Sequence, residues 1–322
     1  MFTLKSLTIK AKIINIYNNF KTIEKITIIY NKLKIYNNME EIRNLENVSF
    51  DEIFKAFSEA FNTYEVQINE DEFRNMLTRR SYSPKHSFAI FINKQIVSFI
   101  LNGIGEYNNI KTAYDTGTGT ISEYRGRRYT KKLFEYSLLH LKKDNIQQYL
   151  LEVLKHNTRA FNIYKNLGLK INREFAYFVK EIDEINISKK NKLDEYSIKE
   201  IEYSIIQEEF NKSDMLHSWQ NNHQAISRNL KNFIFLELKS KDTHIGYSIL
   251  EPKTGDISQL YIKKEYRRLG LGSKLLKATI QQNNYPSIKV INIDTRSVDI
   301  IKFLNANHIQ ESGKQYEMLM TL

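Results

Sequence analysis

Apolar positions along this chain switch between helical spacing and strand-like runs. From Ser49 onward Ile53, Phe54, Phe57, Ala60 and Phe61 form a helical stripe, and Phe73, Met76 and Leu77 form another over 71–80. Residues 87–92 and 95–101 read as strands joined in a hairpin at Asn93-Lys94. Residues 114–121 form a further strand with glycines at 117 and 119. Glycine inside a strand marks a bulge or a backbone that a ligand approaches closely. Leu133, Phe134, Leu138 and Leu141 share one helical face, and 149–153 is again a strand.

The same succession returns in the second half. Residues 257–262 read as a strand, Leu271, Leu275, Leu276 and Ile280 as one helical face, and 289–293 as a strand. Glu123-Tyr124-Arg125 with its loop aligns with Glu265-Tyr266-Arg267 at an offset of 142 residues. A repeat of that length means two copies of one domain, not a solenoid. The expected division is a leader over 1–38, a first domain over 39–185, a lysine-rich linker over 186–195 and a second domain over 196–322. In both copies the conspicuous stretch lies where a strand gives way through a loop to an amphipathic helix. In the second copy that loop holds Gly270 and Gly272. Backbone N–H groups at such a helix start face outward, and with the helix dipole they form an anion site suited to pyrophosphate.

Composition narrows the class. The chain has 322 residues, 41% hydrophobic and 26% charged, which fits two soluble globular domains. No apolar run is long enough for a membrane span, so no membrane partner is expected. The absence of cysteine excludes disulfides and thiolate chemistry and fits a reducing, cytoplasmic setting. The seven histidines are scattered, and no metal site is expected. Of the net charge of +11, the leader carries +6, from seven lysines against Glu24 alone. The leader reads either as an extension outside the fold or as a basic arm. With most of the excess charge there, nucleic acid is not the expected partner.

Arg267-x-x-Gly270-x-Gly272 resembles the (Arg/Gln)-x-x-Gly-x-(Gly/Ala) signature of the GNAT superfamily of acyl-CoA N-acyltransferases. Asn157-Thr158-Arg159-Ala160, followed by Tyr164 and Gly168-Leu169, resembles that family's Asn-x-x-Ala-x-x-x-Tyr-x-x-x-Gly-Phe pattern. The resemblance implies an α/β (α+β) fold of two tandem GNAT-like domains, each a mixed, mostly antiparallel twisted sheet flanked by helices. It implies acetyl-CoA as co-substrate, bound where two central strands splay. Cofactor contacts are then expected from Ile121, Arg125, Gly126, Arg127, Arg128, Tyr129, Thr130, Lys131 and Asn157. In the second copy they are expected from Ile262, Arg267, Arg268, Leu269, Gly270, Leu271, Gly272 and Ser273. Tyr164 takes the place of the family's general acid. On spacing alone it is equally an aromatic on the apolar face of a helix.

The two copies depart from the pattern in complementary ways. The first has Arg128 where the family has glycine, and Thr130 at the last small position. The second keeps both glycines but has Ser297, Leu304 and His308 where the first has Asn157, Tyr164 and Gly168. Leucine has no proton to give, so chemistry is expected in the first copy. The expected reaction is acetyl transfer to a primary amine of a small molecule or peptide, with Glu152 as base and Asp115 and Glu123 as nearby alternatives. A non-catalytic acyl-CoA-binding or scaffold protein is the alternative. A monomer or homodimer is expected. Phe57, Phe61, Tyr64 and Phe73 belong either to the acceptor side or to the core.

Overall fold

The computed structural model describes residues 40–64, 67–185, 187, 195–210, 214–215 and 217–322, with residues 22 and 25. The rest of the leader, and most of the linker over 186–195, lie outside the described residues. The first half runs β1 (Glu40–Asn44), α1 (Phe50–Phe61), α2 (Glu70–Arg79), β2 (Phe88–Ile92), β3 (Gln95–Tyr107), β4 (Ile110–Thr120), α3 (Tyr129–Lys143), β5 (Gln148–Leu154), α4 (Thr158–Asn166) and β6 (Lys170–Glu181). The second runs β7 (Tyr196–Glu200), α5 (Tyr203–Phe210), α6 (His223–Ser227), β8 (Ile234–Ser240), β9 (Thr243–Glu251), β10 (Asp256–Ile262), α7 (Leu271–Gln281), β11 (Ser287–Asp294), α8 (Val298–Ala306) and β12 (Glu311–Thr321).

Local chemistry sets several of these boundaries. Ser49 and Glu52 form a capping box that starts α1, and Asn69 with Glu72 does the same for α2. Asn93 and Lys94 both take positive φ, 53° and 65°, which matches the right-handed twist of the β2–β3 hairpin. The stripe of α1 and α2 buries Ile53, Ala60, Phe73 and Leu77 against β2 and β3. Phe57, Phe61 and Phe73 stack among themselves and on Phe99, so these aromatics serve the core.

The strands form a single mixed sheet in the order β1-β2-β3-β4-β5-β12-β6-β11-β10-β9-β8-β7. All pairings among the described residues are antiparallel except β4 with β5 and β10 with β11. The two halves do not keep separate sheets. The last strand of the second half, β12, pairs with β5 of the first over Gln315–Thr321, and β6 of the first half pairs with β11 of the second. β6 and β12 also pair with each other, so each of these two exchanged strands has a neighbour on both sides.

The parallel pairs are short. β4 and β5 pair only at Thr112↔Gln148, Ala113↔Tyr149 and Tyr114↔Leu150, and then part. β10 and β11 pair only at Asp256↔Lys289. Next to each divergence one strand bulges: Thr116 is the extra residue of β4, and Ser258 that of β10. Their offset of 142 is that of the sequence repeat. No helix among the described residues is long and apolar enough to cross a membrane.

Candidate active site

Each bulged strand ends in a loop and then a helix, as the sequence pattern predicts. Ile121 and Ile262 lie at these strand ends. Ile121 N donates to the Val97 carbonyl at 3.0 Å, and Ile262 closes β10 and packs on the second core. Arg125 and Arg267 fold back alike: Nε of each donates to the carbonyl five residues earlier, Thr120 at 3.1 Å and Ile262 at 2.9 Å. Arg125 also donates to the Ala60 carbonyl at 2.8 Å, and Arg267 to Asp214 at 2.6 Å. These two guanidinium groups therefore shape their loops.

Both loops need two left-handed residues, at equivalent places. In the first they are Gly126 and Arg128, and in the second Arg268 and Gly270. Each copy thus holds one glycine and one arginine, in opposite order. Arg128 at φ 61° takes the conformation of Gly270 at φ 86°, at a cost of roughly 1–2 kcal/mol for a residue with a Cβ. Its side chain is exposed. Arg127 lies 5.0 Å over the Tyr124 ring, and Leu269 is exposed.

The helices that follow start without a side-chain cap, as α8 does at Ser297. Asn157 caps α4 and Asn222 caps α6, whereas α3 and α7 have no side-chain cap at Arg128 and Gly270. The first-turn N–H groups at Tyr129, Thr130 and Lys131, and at Leu271, Gly272 and Ser273, face the loops without one. That donor set fits a pyrophosphate. Side chains in these turns are largely structural. Tyr129 packs in the core, Lys131 pairs with Glu135, and Ser273 Oγ donates to Asn307 at 3.0 Å. Gly272 allows close approach, since a Cβ there would sit 2.9 Å from the Phe303 ring. A recess of about 540 Å³ lined by Glu40, Ile92, Glu123, Tyr124, Arg127 and Tyr129 adjoins the first loop.

At the divergence of β4 and β5 the first half concentrates its polar groups. Tyr164, brought in by α4, donates its phenol to Asp115 Oδ2 at 3.2 Å, and Thr118 Oγ1 donates to the same oxygen at 2.8 Å. The bulge at Thr116 is what puts Asp115 and Thr118 on one face. Asp115 Oδ1 and Thr116 Oγ1 are buried with no hydrogen-bond partner among the described residues. Burial raises the Asp115 carboxyl to about 6 against the hydrogen bonds from Thr118 and Tyr164. Burial, then the Asp115 charge, holds the Tyr164 phenol well above its usual range, so it stays protonated. Asn157 Oδ1 accepts from Ala160 N at 3.1 Å, so that oxygen starts α4 and thereby aims Tyr164.

Glu152 stands on the other face, with Tyr114, the neighbour of Asp115 along β4. It is half-buried and accepts from the Tyr114 hydroxyl, from Gln220 Nε2 at 3.5 Å and from Asn292 Nδ2 at 3.3 Å. Glu317 of β12 is its direct cross-strand partner. Burial raises the Glu152 carboxyl to about 7, with the Glu317 charge pushing the same way and the Tyr114 hydroxyl opposing. Arg173 neutralises Glu317 through Nε at 2.8 Å and a terminal nitrogen at 2.7 Å. Glu123, the other carboxylate near the motif, is exposed in the turn before the loop.

Sequence reasoning does not find the second half's share of this site. Trp219, fully buried, stacks on Tyr114 at 5.1 Å with the planes 3° apart, and its indole donates to the Arg80 carbonyl. Gln220, Asn292 and Glu317 reach Glu152 from the far end of the chain. A lone tryptophan was the only available signal, and nothing in its spacing tied it to Tyr114.

The matching place in the second half is apolar. Ile257 and Leu304 take the positions of Asp115 and Tyr164, and both are fully buried in the second core. Among the described residues no group of three or more His, Asp or Glu is arranged to hold a metal.

Comparison with known proteins agrees with this layout. Residues 43–169 match the model of the acetyltransferase (GNAT) family, and residues 192–299 match that of an acetyltransferase (GNAT) domain. No curated protein matches by sequence. Among solved structures, a tandem GNAT protein from the clavulanic acid biosynthesis pathway superposes with a TM-score of 0.67 at 11% identity, covering 88% of this chain and 98% of that one. A GCN5-related N-acetyltransferase from Sphaerobacter thermophilus gives 0.65 at 8% identity, covering 88% and 95%. A glucosamine N-acetyltransferase region of a fungal multi-domain GH3 β-N-acetylglucosaminidase gives 0.68 at 12% identity, where this chain, matched over 88% of its length, spans 38% of the larger one. The repeat, the paired splayed strands and the two family matches together make this chain a member of the GNAT acetyltransferase family, with two such domains in tandem.

Proposed function

We propose that the protein is an acetyl-CoA-dependent N-acetyltransferase whose chemistry belongs to the first half and whose acceptor is a primary amine of a small molecule or peptide. The observation that carries this reading is the contrast between the two divergence points. One holds Asp115 and Tyr164; the other holds Ile257 and Leu304.

The uncapped starts of α3 and α7 supply N–H donors for the coenzyme pyrophosphate, and the gap between β4 and β5 receives the pantetheine arm. Tyr164 and Glu152 then stand on opposite faces of the sheet, either side of that gap. Glu152, poised near neutral pH, takes the proton from the acceptor ammonium, whose nitrogen bonds to the acetyl carbonyl carbon. A backbone N–H of the bulged β4 meets the oxyanion that develops. The bond from carbonyl carbon to sulfur breaks, and Tyr164 gives its proton to the departing thiolate. The nitrogen, now bonded to carbon, gives its second proton to solvent, and the phenol regains one from solvent. Holding amine and thioester together in one cleft supplies much of the rate.

A second reading follows from the apolar place at Ile257 and Leu304: the second half binds the coenzyme without turning it over. The deciding experiment follows thiol release from acetyl-CoA by the full-length chain across a panel of primary amines. Amine-dependent release in the wild type that is lost on Tyr164→Phe supports the assignment. Release that persists in that variant overturns it.

A further inference from the structure

α2 ends in two consecutive arginines that part company. Arg80 stands at the first half's bulge and reaches the second half as well, donating to the carbonyl of Thr116 at 2.8 Å and to Gln220 Oε1 at 2.7 Å. Arg79 crosses into the second half and is buried there. Its Nε donates to the Gln220 carbonyl at 2.9 Å. One terminal nitrogen meets Asp256 at 2.6 Å and Glu251 at 3.4 Å, and the other meets Asn221 at 3.0 Å and Ser258 at 2.7 Å. A guanidinium has five N–H donors in a rigid fork, and here five acceptors receive them. The Phe233 ring lies 5.1 Å from its central carbon, within cation–π range.

Every one of these groups belongs to the second half. Ser258 is its bulge residue, the counterpart of Thr116, and Asp256 is the counterpart of Tyr114 at the offset of 142. The acceptors therefore stand on the face of the sheet that carries Tyr114 and Glu152 in the first half. We propose that the second half contains a specific guanidinium-binding site at the divergence of its central strands, and that the first half fills it with Arg79 as an internal ligand. That place is thereby closed to an external amine, and the two halves are joined by a recognition contact, not by surface packing alone. The inference holds whichever half transfers acetyl groups.

Chemical rescue tests it. Arg79→Ala removes the side chain beyond Cβ, and ethylguanidinium replaces the missing atoms. In full-length Arg79→Ala, Tm should fall by on the order of 10 °C, as expected when one member of a buried ion cluster is lost. Ethylguanidinium at low millimolar concentration, well below denaturing levels, should restore most of the loss saturably and bind one to one by calorimetry. Wild type should bind none, and ethylammonium should rescue neither, because three tetrahedral donors cannot meet five planar-disposed acceptors. Equal rescue by both cations, or by neither, overturns the proposal. Should Arg79→Ala fail to accumulate, Arg79→Ala/Glu251→Gln, which leaves one uncompensated carboxylate instead of two, undergoes the same titration with ethylguanidinium present during purification. Misfolding of both variants, or indifference of the folded one, also overturns it.

Discussion

The Tyr164 hydroxyl donates to Asp115 Oδ2 across 3.2 Å, bridging helix α4 to the strand that bulges beside the central gap. A phenol so held is fixed in place and protonated, as the proposed general acid has to be. Tyr164→Phe keeps the ring packed and removes the one hydroxyl. Steady-state kinetics should show kcat lower by roughly 10²–10⁴, the usual worth of a general acid. Acetyl-CoA affinity by calorimetry and Tm should stay close to wild type, since no cavity opens. A near-normal kcat would return Tyr164 to the core aromatics.

Glu152 makes a prediction in pH with two opposite signs. Its carboxyl is raised to about 7, so the base form appears late and kcat/KM should climb through a limb centred near that value. Stability runs the other way. Between the ordinary carboxylate range and about pH 7 the folded protein holds a proton that the unfolded chain has released, so this contribution shrinks as pH rises and is gone above it. The comparison of wild type with Glu152→Gln isolates both effects. The variant should lose the kinetic limb, and its Tm advantage over wild type should grow from pH 5 to about pH 8. Parallel Tm profiles would mean that Glu152 does not titrate in this window.

Arg128 sits in a backbone conformation made for glycine. Arg128→Gly should relieve about 1 kcal/mol of strain, offset in part by the greater freedom of glycine in the unfolded chain, and so raise Tm slightly. If the exposed guanidinium also meets a phosphate, coenzyme affinity should drop by roughly tenfold at the same time, the loss of one charge-assisted contact. Calorimetry and thermal melts on the same sample separate the two effects, and a lowered Tm would contradict the strain argument.

Gly270→Asp probes the other loop. It sets a Cβ and a negative charge at the uncapped start of α7, where the pyrophosphate is expected. Coenzyme titration should lose one binding event. Unchanged stoichiometry and affinity would show this loop to be only a helix start.

Much of this organisation is legible in the residues themselves. The stripe of Leu271, Leu275 and Leu276, the hairpin at Asn93-Lys94 and the repeated loop are local patterns, and local patterns are fixed by spacing and turn chemistry. The pairing of Tyr164 with Asp115 is half legible: the helix motif marks the tyrosine, but only the bulge at Thr116 brings the aspartate to its face. The partners of Glu152 are not legible at all. Gln220, Asn292 and Glu317 lie 68, 140 and 165 residues away along the chain, and their approach depends on which strands pair, which no short-range period records. Arg79 and Arg80 read as one basic pair at the end of a helix, and only the fold sends one to the bulge at Thr116 and the other to Asp256 and Ser258.

The exchange of β6 and β12 has a consequence for how the chain comes into being. β5 meets its neighbour only when Gln315–Thr321 exists, so the half that is made first cannot finish its sheet until the second has been synthesised. At ordinary elongation rates that wait is roughly 10–30 s, during which the flank of β5 is an open edge with unpaired N–H and C=O groups. The two copies, though alike in sequence, are thus not separable products: cutting the chain at the repeat boundary leaves each fragment with a strand that belongs to the other.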